Sequence, residues 1–314
     1  MPEGDTLFKI AGFIRQRAAG QRLERAALLG REAPALAHRR VLAIGVHGKH
    51  LCWDLGPPGA SGVRLRVHLG MFGSWHHYPT GAAWQRPRAQ ASVVLEVAEA
   101  GTFVCFLAAD VGLSDGAADG SAGPVRLAAL GEQLLVAEGD RHAPAPDAAA
   151  IARAIDALPA ATPLCDLLLN QRVAAGFGNV YKSELLFLCG WPPWLRRTAL
   201  APWQLESLFS LGQKLLRQNV GGWPRTTTVD RRRRRLPAGM PRLWVYNRAG
   251  QPCLLCRAPI ERALLGRHRR STFWCPRCQP AAAMPSAAPV ACRAIGLAHV
   301  PLAGRRPAGA FRGR

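Results

Sequence analysis

Two groups of residues in this chain have types and spacings that could do chemistry. The first is Pro2-Glu3, directly after Met1. The small Pro2 side chain permits removal of the initiator methionine, which leaves a secondary α-amine. An α-amino group titrates near about 7.7–8.0, against about 10.4 for lysine, so part of it is an uncharged nucleophile at neutral pH. Glu3 is the adjacent carboxylate, close enough to exchange protons with whatever that amine attacks. Alone, Met-Pro-Glu is also an ordinary terminus. The second group is Cys253, Cys256, Cys275 and Cys278, two CxxC knuckles separated by 18 residues. Four thiolates at this spacing make a closed tetrahedral site for one structural Zn2+, with no position open for catalysis.

The elements that must position these residues follow from the pattern. Residues 5–19 carry Leu7, Ile10, Ala11, Ile14 and Ala18 at helical spacing, with Asp5 or Thr6 as N-cap. The amine would thus precede a helix N-terminus, whose partial positive charge keeps an amine's pKa down and favours anions nearby. Val41–Val46, His50–Trp53, Val63–His68, Ala91–Val97 and Thr102–Leu107 are short, rich in β-branched residues and mostly divided by Gly or Pro turns. They predict an antiparallel sandwich or barrel. His47-Gly48-Lys49 is a turn between two of them, expected to carry Lys49 outward. Residues 113–126 are small and polar, a linker. Beyond it, Ala148–Leu158, Pro163–Asn170, Asn179–Cys189 and Pro202–Gln218 read as helices. Strands first and helices second argue for domains of different class.

Residues 221–244 form a basic loop containing Arg231–Arg235, a run that attracts phosphate without specificity. Residues 245–280 hold the cysteines. The stretch between the knuckles suits a β-hairpin with Arg267, Arg269 and Arg270 near its tip. Residues 281–314, mostly Ala, Pro, Gly and Arg, are expected to be a disordered basic tail. The formal charge of +21 and pI of about 11.1 call for a polyanionic partner, nucleic acid or an acidic membrane surface. No apolar run reaches the ~18 residues of a membrane span. Cys52, Cys105, Cys165, Cys189 and Cys292 are scattered and read as buried or free thiols. A reduced cytoplasmic location is expected, associated with the nucleoid.

Several motifs occur together and in order: Pro2-Glu3-Gly4, Gly48-Lys49 in a turn, His68-Leu69-Gly70-Met71-Phe72-Gly73-Ser74-Trp75, Gly176-Phe177-Gly178-Asn179-Val180-Tyr181, and the four cysteines. Over residues 2–280 the chain resembles the formamidopyrimidine-DNA glycosylase and endonuclease VIII family of bifunctional base-excision repair enzymes. The resemblance implies an α+β multi-domain fold. Residues 1–112 would be a catalytic antiparallel β-sandwich with a leading helix, and residues 127–220 a helix–two-turn–helix domain, followed by a four-cysteine zinc-finger hairpin. It implies Pro2 as the nucleophile that forms a Schiff base with the sugar, Glu3 as acid/base, and Lys49, Asn179 and Arg270 as phosphate-binding groups. Met71 and Phe72 would fill the gap left by an extruded base, although core packing is the bland reading for both. Glu184 also matches a family position, with a surface ion pair as the equal alternative.

The chain departs from the purine-type pattern. Gly4-Asp5-Thr6 stands where those members continue Leu-Pro-Glu, so their second glutamate is missing, and Ala108–Gly112 lacks their Arg- and Phe-rich insertion loop. The expected function is therefore a DNA glycosylase and abasic-site lyase acting as a monomer on damaged double-stranded DNA, with oxidised pyrimidines favoured. The alternatives are a purine-preferring enzyme and a non-catalytic binder of damaged DNA; a binder would need neither Pro2 nor Glu3.

Overall fold

The computed structural model describes residues 2–57, 62–115, 127–135, 147–222, 224–229 and 238–281. Arg231–Arg235, Cys292, most of the 113–126 segment and the tail beyond residue 281 lie outside the described residues.

The leading helix α1 (Gly4–Ala18) buries the predicted stripe of Leu7, Ala11, Ile14 and Ala18. Neither Asp5 nor Thr6 caps it. The helix begins before them, and both side chains bond Arg225 instead. Two antiparallel sheets follow. β1 (Leu23–Leu28), β2 (Arg31–Glu32), β6 (Ser74–Tyr78), β7 (Ala91–Val97) and β8 (Gly101–Phe106) form one, in the order β2-β1-β7-β8-β6. β3 (Arg40–His47), β4 (His50–Gly56), β5 (Val63–His68) and β9 (Asp110–Asp115) form the other, in the order β3-β4-β5-β9. Side chains from both sheets and from α1 share one core around the fully buried Trp53, whose ring centroid lies 5.8 Å from Trp75 and 5.6 Å from Phe103. This is the expected sandwich.

β9 corrects one boundary. Leu113, Ser114 and Asp115, placed in the linker by composition, pair with Leu65, Arg64 and Val63 of β5. A polar strand at a sheet edge carries little signal of its own; its partner strand decides its conformation.

The second half is helical, as expected. β10 (Glu132–Gln133) and β11 (Ala174–Ala175) make a short parallel bridge. α2 (Ala148–Asp156) is capped by Asp147, whose carboxylate accepts from the amides of Ala149 and Ala150. α3 (Leu164–Leu167), α4 (Asn179–Cys189) and α5 (Pro202–Val220) follow. Every residue of α4 is buried, and the helix stops at Gly190, whose φ of 70° is the left-handed conformation of a helix C-terminus. The finger is the hairpin β12 (Glu261–Leu265) and β13 (Arg270–Trp274), paired from Glu261–Trp274 to Leu265–Arg270. Trp244, Val245, Cys253, Phe273 and Cys275 lie in the same core as α4 and α5, so finger and helices pack as one body.

Glu184 is central to that packing. It is not a surface ion-pair residue: its side chain is wholly buried on α4. Its carboxylate accepts from the Thr227 hydroxyl and from the amides of Trp244 (2.8 Å), Val245 (3.0 Å) and Tyr246 (2.8 Å). Burial pushes its pKa up, and the four donors push it back. Deleting the carboxylate strands three buried amides, so Glu184→Ala should cost about 3 kcal/mol in denaturant unfolding of the zinc-loaded protein, and Glu184→Gln distinctly less.

Candidate active site

The N-terminus is held by groups far away in sequence. The amide of Gly4 donates to the Gly176 carbonyl at 2.9 Å. The Glu3 carboxylate, fully buried, accepts from the amides of Gly178 (2.9 Å), Val180 (2.8 Å) and Tyr181 (3.3 Å). Glu3 thus caps α4 from another part of the chain, and Gly178 at the N-cap position offers no side chain to do so. A Cβ on Gly178 would stand 2.6 Å from the Glu3 carboxyl carbon, so only glycine lets the two meet. Phe177 between the glycines is buried and inserts where α5 has Gly212, whose Cβ would fall 2.1 Å from the Phe177 ring.

This arrangement occupies the backbone at the start of α4 and leaves the Asn179 side chain, not the helix amides, facing the cavity. Three of its amides already serve Glu3, so the helix end mainly holds the carboxylate in place. Arg225, in the loop after α5, completes the anchor. It donates to the Asp5 carboxylate (3.0 Å from Nε) and the Thr6 hydroxyl (2.9 Å), lies 3.9 Å from Glu3 Oε1, and sits 5.0 Å over the Tyr181 ring. Burial alone would lower the Arg225 pKa; Glu3 and Asp5 more than offset it and raise it. Nothing in the sequence around Arg225 marked it.

A cavity of about 290 Å³ opens at the N-terminus, and Pro2, Lys49, Met71, Asn179 and Arg270 all line it. His68 and His268 line it as well, and the sequence reading had given neither a role. Lys49 does not point outward. It is half-buried, because its turn docks on the helical half: the Gly48 amide donates to Gln133 Oε1 at 2.7 Å, and a Gly48 Cβ would press on Ala175 at 3.0 Å. Gly48 takes φ 58°, as the first residue of a two-residue hairpin turn requires. Burial lowers the Lys49 pKa, Glu3 partly opposes this, and Arg270 adds to it. Next to it, His50 is driven down to about 3 by burial and by the neighbouring cations; its Nδ1 lies 3.2 Å from Arg66, which also pairs with Asp110. The His50 ring is therefore uncharged at neutral pH.

Met71 and Phe72 form the tip of the turn between β5 and β6, 53% and 74% exposed, which removes core packing as their role. Arg270 Nη1 approaches Met71 Sδ at 3.8 Å. The finger turn is pinned by Asp166 of α3, whose carboxylate accepts from the Arg267 amide at 2.9 and 3.0 Å. The side chain of Arg270, not that of Arg267 or Arg269, lines the cavity.

The four cysteine Sγ atoms lie within 4.8 Å of one another. Cys253 and Cys278 are 3.9 Å apart, Cys256 and Cys275 3.4 Å. A tetrahedral zinc with sulfur ligands requires edges of roughly 3.8 Å. The Leu255 and Cys278 amides point at Sγ of Cys253 and Cys275, at 3.5 and 3.4 Å, as in thiolate knuckles. The residues fit one structural zinc ion. Metal analysis should return about one zinc per chain, and chelation should remove hydrogen-exchange protection from β12 and β13 while β3 to β5 keep theirs.

Comparison with known proteins agrees with this geometry. Residues 1–107 match the formamidopyrimidine-DNA glycosylase N-terminal domain, and residues 250–281 the zinc finger found in FPG and IleRS. The chain is 35% identical over 286 residues to the "Probable endonuclease 8 2" of Streptomyces coelicolor, covering 89% of this chain and 94% of that one. It is 34% identical over 287 residues to a DNA-(apurinic or apyrimidinic site) lyase of Mycolicibacterium smegmatis, covering 90% and 100%. Among solved structures, the FPG protein of Thermus thermophilus superposes with a TM-score of 0.65 at 28% identity, over 88% of this chain and 98% of that one. A buried carboxylate beside Pro2, a zinc finger docked on the helices, and relatives matched over nearly their full length together place this chain in the formamidopyrimidine-DNA glycosylase and endonuclease VIII family of DNA glycosylases and abasic-site lyases.

Proposed function

We propose that the chain removes oxidised pyrimidines from double-stranded DNA and cleaves the strand through a Schiff base on Pro2. The observation that carries this reading is the single cavity shared by Pro2, Lys49, Asn179 and Arg270, drawn from the terminus, a sheet turn, a helix start and the finger. The freed Pro2 nitrogen attacks C1′ of the extruded nucleotide, and the base departs with a proton. The sugar ring opens to an iminium, which accepts the electron pair left when the C2′ proton is removed. Loss of the 3′ phosphate follows, and a second elimination at the 5′ side releases the sugar and leaves a one-nucleotide gap. Glu3, fixed beside Pro2 by the α4 amides, is placed to relay protons at the sugar. Lys49, Asn179 and Arg270 grip the flanking phosphates from three elements and set the register. Met71 and Phe72 enter the stack where the nucleotide has left.

The preference for pyrimidines rests on the connection from β8 to β9. Only Leu107, Ala108 and Ala109 lie between the strands, with no room for an Arg- and Phe-rich insertion. Cys52, Cys105, Cys165 and Cys189 are free thiols, in keeping with work in a reducing cytoplasm beside the nucleoid. Among the described residues no helix is long and apolar enough to cross a membrane.

Borohydride trapping on duplexes carrying thymine glycol, 5-hydroxycytosine, 8-oxoguanine or an abasic site tests both parts of this reading. A covalent adduct should form on all but the 8-oxoguanine duplex, and Pro2→Gly should cut trapping by at least about 10²-fold while DNA affinity stays within about twofold. Equal or stronger trapping on 8-oxoguanine would reverse the lesion assignment; undiminished trapping by Pro2→Gly would remove the nucleophile. The pH dependence of binding probes Lys49. Its charged form holds phosphate, so its contribution is complete below its folded pKa and lost as pH rises through it. Because that pKa is lowered, the loss should begin at a lower pH than for an ordinary lysine. Lys49→Met should bind more weakly at neutral pH and lack this alkaline decline in a fluorescence-anisotropy titration.

A further inference from the structure

Lys182 is one of four lysines in the chain and is wholly buried on α4, one turn after Asn179. Its ammonium has three hydrogens and finds three acceptors: Asn179 Oδ1 at 3.2 Å, the Ser271 carbonyl at 3.2 Å and Thr272 Oγ1 at 2.7 Å. The Thr272 hydroxyl in turn donates to the Arg270 carbonyl at 3.0 Å. One cation therefore touches the amide of one proposed phosphate ligand and, through a single hydroxyl, the backbone of another. Nothing in the function described so far uses it.

A lysine is a costly way to glue a helix to a hairpin. Taking an ammonium out of water carries a penalty of several kcal/mol, and an apolar side chain of similar volume would hold the two surfaces at least as firmly. What an apolar side chain cannot do is orient. With Oδ1 of Asn179 committed to Lys182, the amide flip is decided and the two Nδ2 hydrogens are left for another acceptor. With Ser271 and Thr272 bonded to the same ammonium, the first residues of β13 cannot slide along α4. Burial brings the lysine down to about 8; Cys165, Glu3 and Asp166 raise it and Arg270 lowers it, so at neutral pH the three-hydrogen form persists.

We propose that Lys182 is a positioning residue that sets Asn179 and Arg270 in register with each other, so that both meet the DNA backbone at once. The inference rests on the reading of Asn179 and Arg270 as phosphate ligands.

The test is a double-mutant cycle on the zinc-loaded, full-length protein, with a fluorescein-labelled duplex carrying a stable abasic-site analogue. Lys182→Met keeps the stem and removes the donors. Thr272→Val keeps the cation and the shape and cuts both bonds of the hydroxyl, to Lys182 and to the Arg270 carbonyl, and serves should Lys182→Met fold poorly. Each should weaken binding by about tenfold, and Arg270→Ala, which weakens the parent by a similar factor, should cost less than about threefold in either background, since grips that act as a unit are not additive. Single-turnover cleavage of an abasic duplex at saturating protein should stay within about threefold, because the reacting groups are untouched. Parent-like binding by both variants overturns the proposal. So does an undiminished effect of Arg270→Ala in their backgrounds, which would mean only a loosened fold. If Arg270→Ala leaves the parent's binding unchanged, the phosphate assignment itself fails and this inference falls with it, a result distinct from the first two.

Discussion

The structure turns on a carboxylate that caps a helix belonging to another domain. α4 begins with orphan amides that no residue near it in sequence can satisfy, since Phe177 is buried and Gly178 has no side chain. Glu3, 175 positions away from Gly178, supplies the missing acceptor. The bond is local in energy but global in effect. It places the chain terminus relative to α4 rather than relative to α1, the helix the terminus leads into. The Gly4 amide on the Gly176 carbonyl repeats the link through backbone alone. Sheet domain and helical domain are thereby registered at Pro2 and Glu3, the residues proposed to react, where an error of an ångström would be most damaging.

Charge is distributed to support that join. Asp5 pairs with Arg225 and lies 3.7 Å from Lys9, while Glu3 lies 3.9 Å from Arg225. Both acids are fully buried, Glu3 on the amides that open α4 and Asp5 on Arg225. The cavity side is lined instead by Lys49, Arg270 and two histidines. An approaching polyanion meets the cations first, and the acids are screened by the arginine they hold. The excess of arginine and lysine in the whole chain favours a polyanion anywhere on the surface; these few cations concentrate that attraction at the cavity.

Much of this could be read from sequence, and what could not has a common cause. Residue types at fixed offsets were legible: the two CxxC knuckles bring four sulfurs together, and Pro2 and Asn179, singled out by their motifs, line one cavity. Strands such as Val63–His68 and Ala91–Val97, dense in β-branched residues, appeared with the expected ends. What stayed hidden depended on a partner far away in the chain. Arg225 looks like any loop arginine until Asp5 is placed beside it. Glu184 looks like a solvated helix residue until three backbone amides from the start of the finger converge on it. β6 and β9 lack strand composition and form because β8 and β5 present open edges. Lys49 was expected outside because a hairpin turn normally is; Gln133 and Ala175 instead dock on the turn at Gly48 and leave Lys49 half-buried.

The tip at Met71 and Phe72 follows from the same logic, seen from the solvent side. Large apolar side chains this exposed are an expense in a soluble fold, and a loop free to move would fold them down. This one is not free. Gly70 takes φ 63° with Ala109 so near that a Cβ would come within 2.6 Å of it, and Gly73 closes the turn on the Leu69 carbonyl where a Cβ would overlap at 2.3 Å. The Ala109 amide ties the neighbouring connection to the His68 carbonyl at 2.9 Å. Two glycines that tolerate no side chain therefore hold the tip upright beside Arg270. The exposure of the two side chains is thus fixed by the fold, and a tip held in this way would need no reordering to serve the stacking role proposed for it.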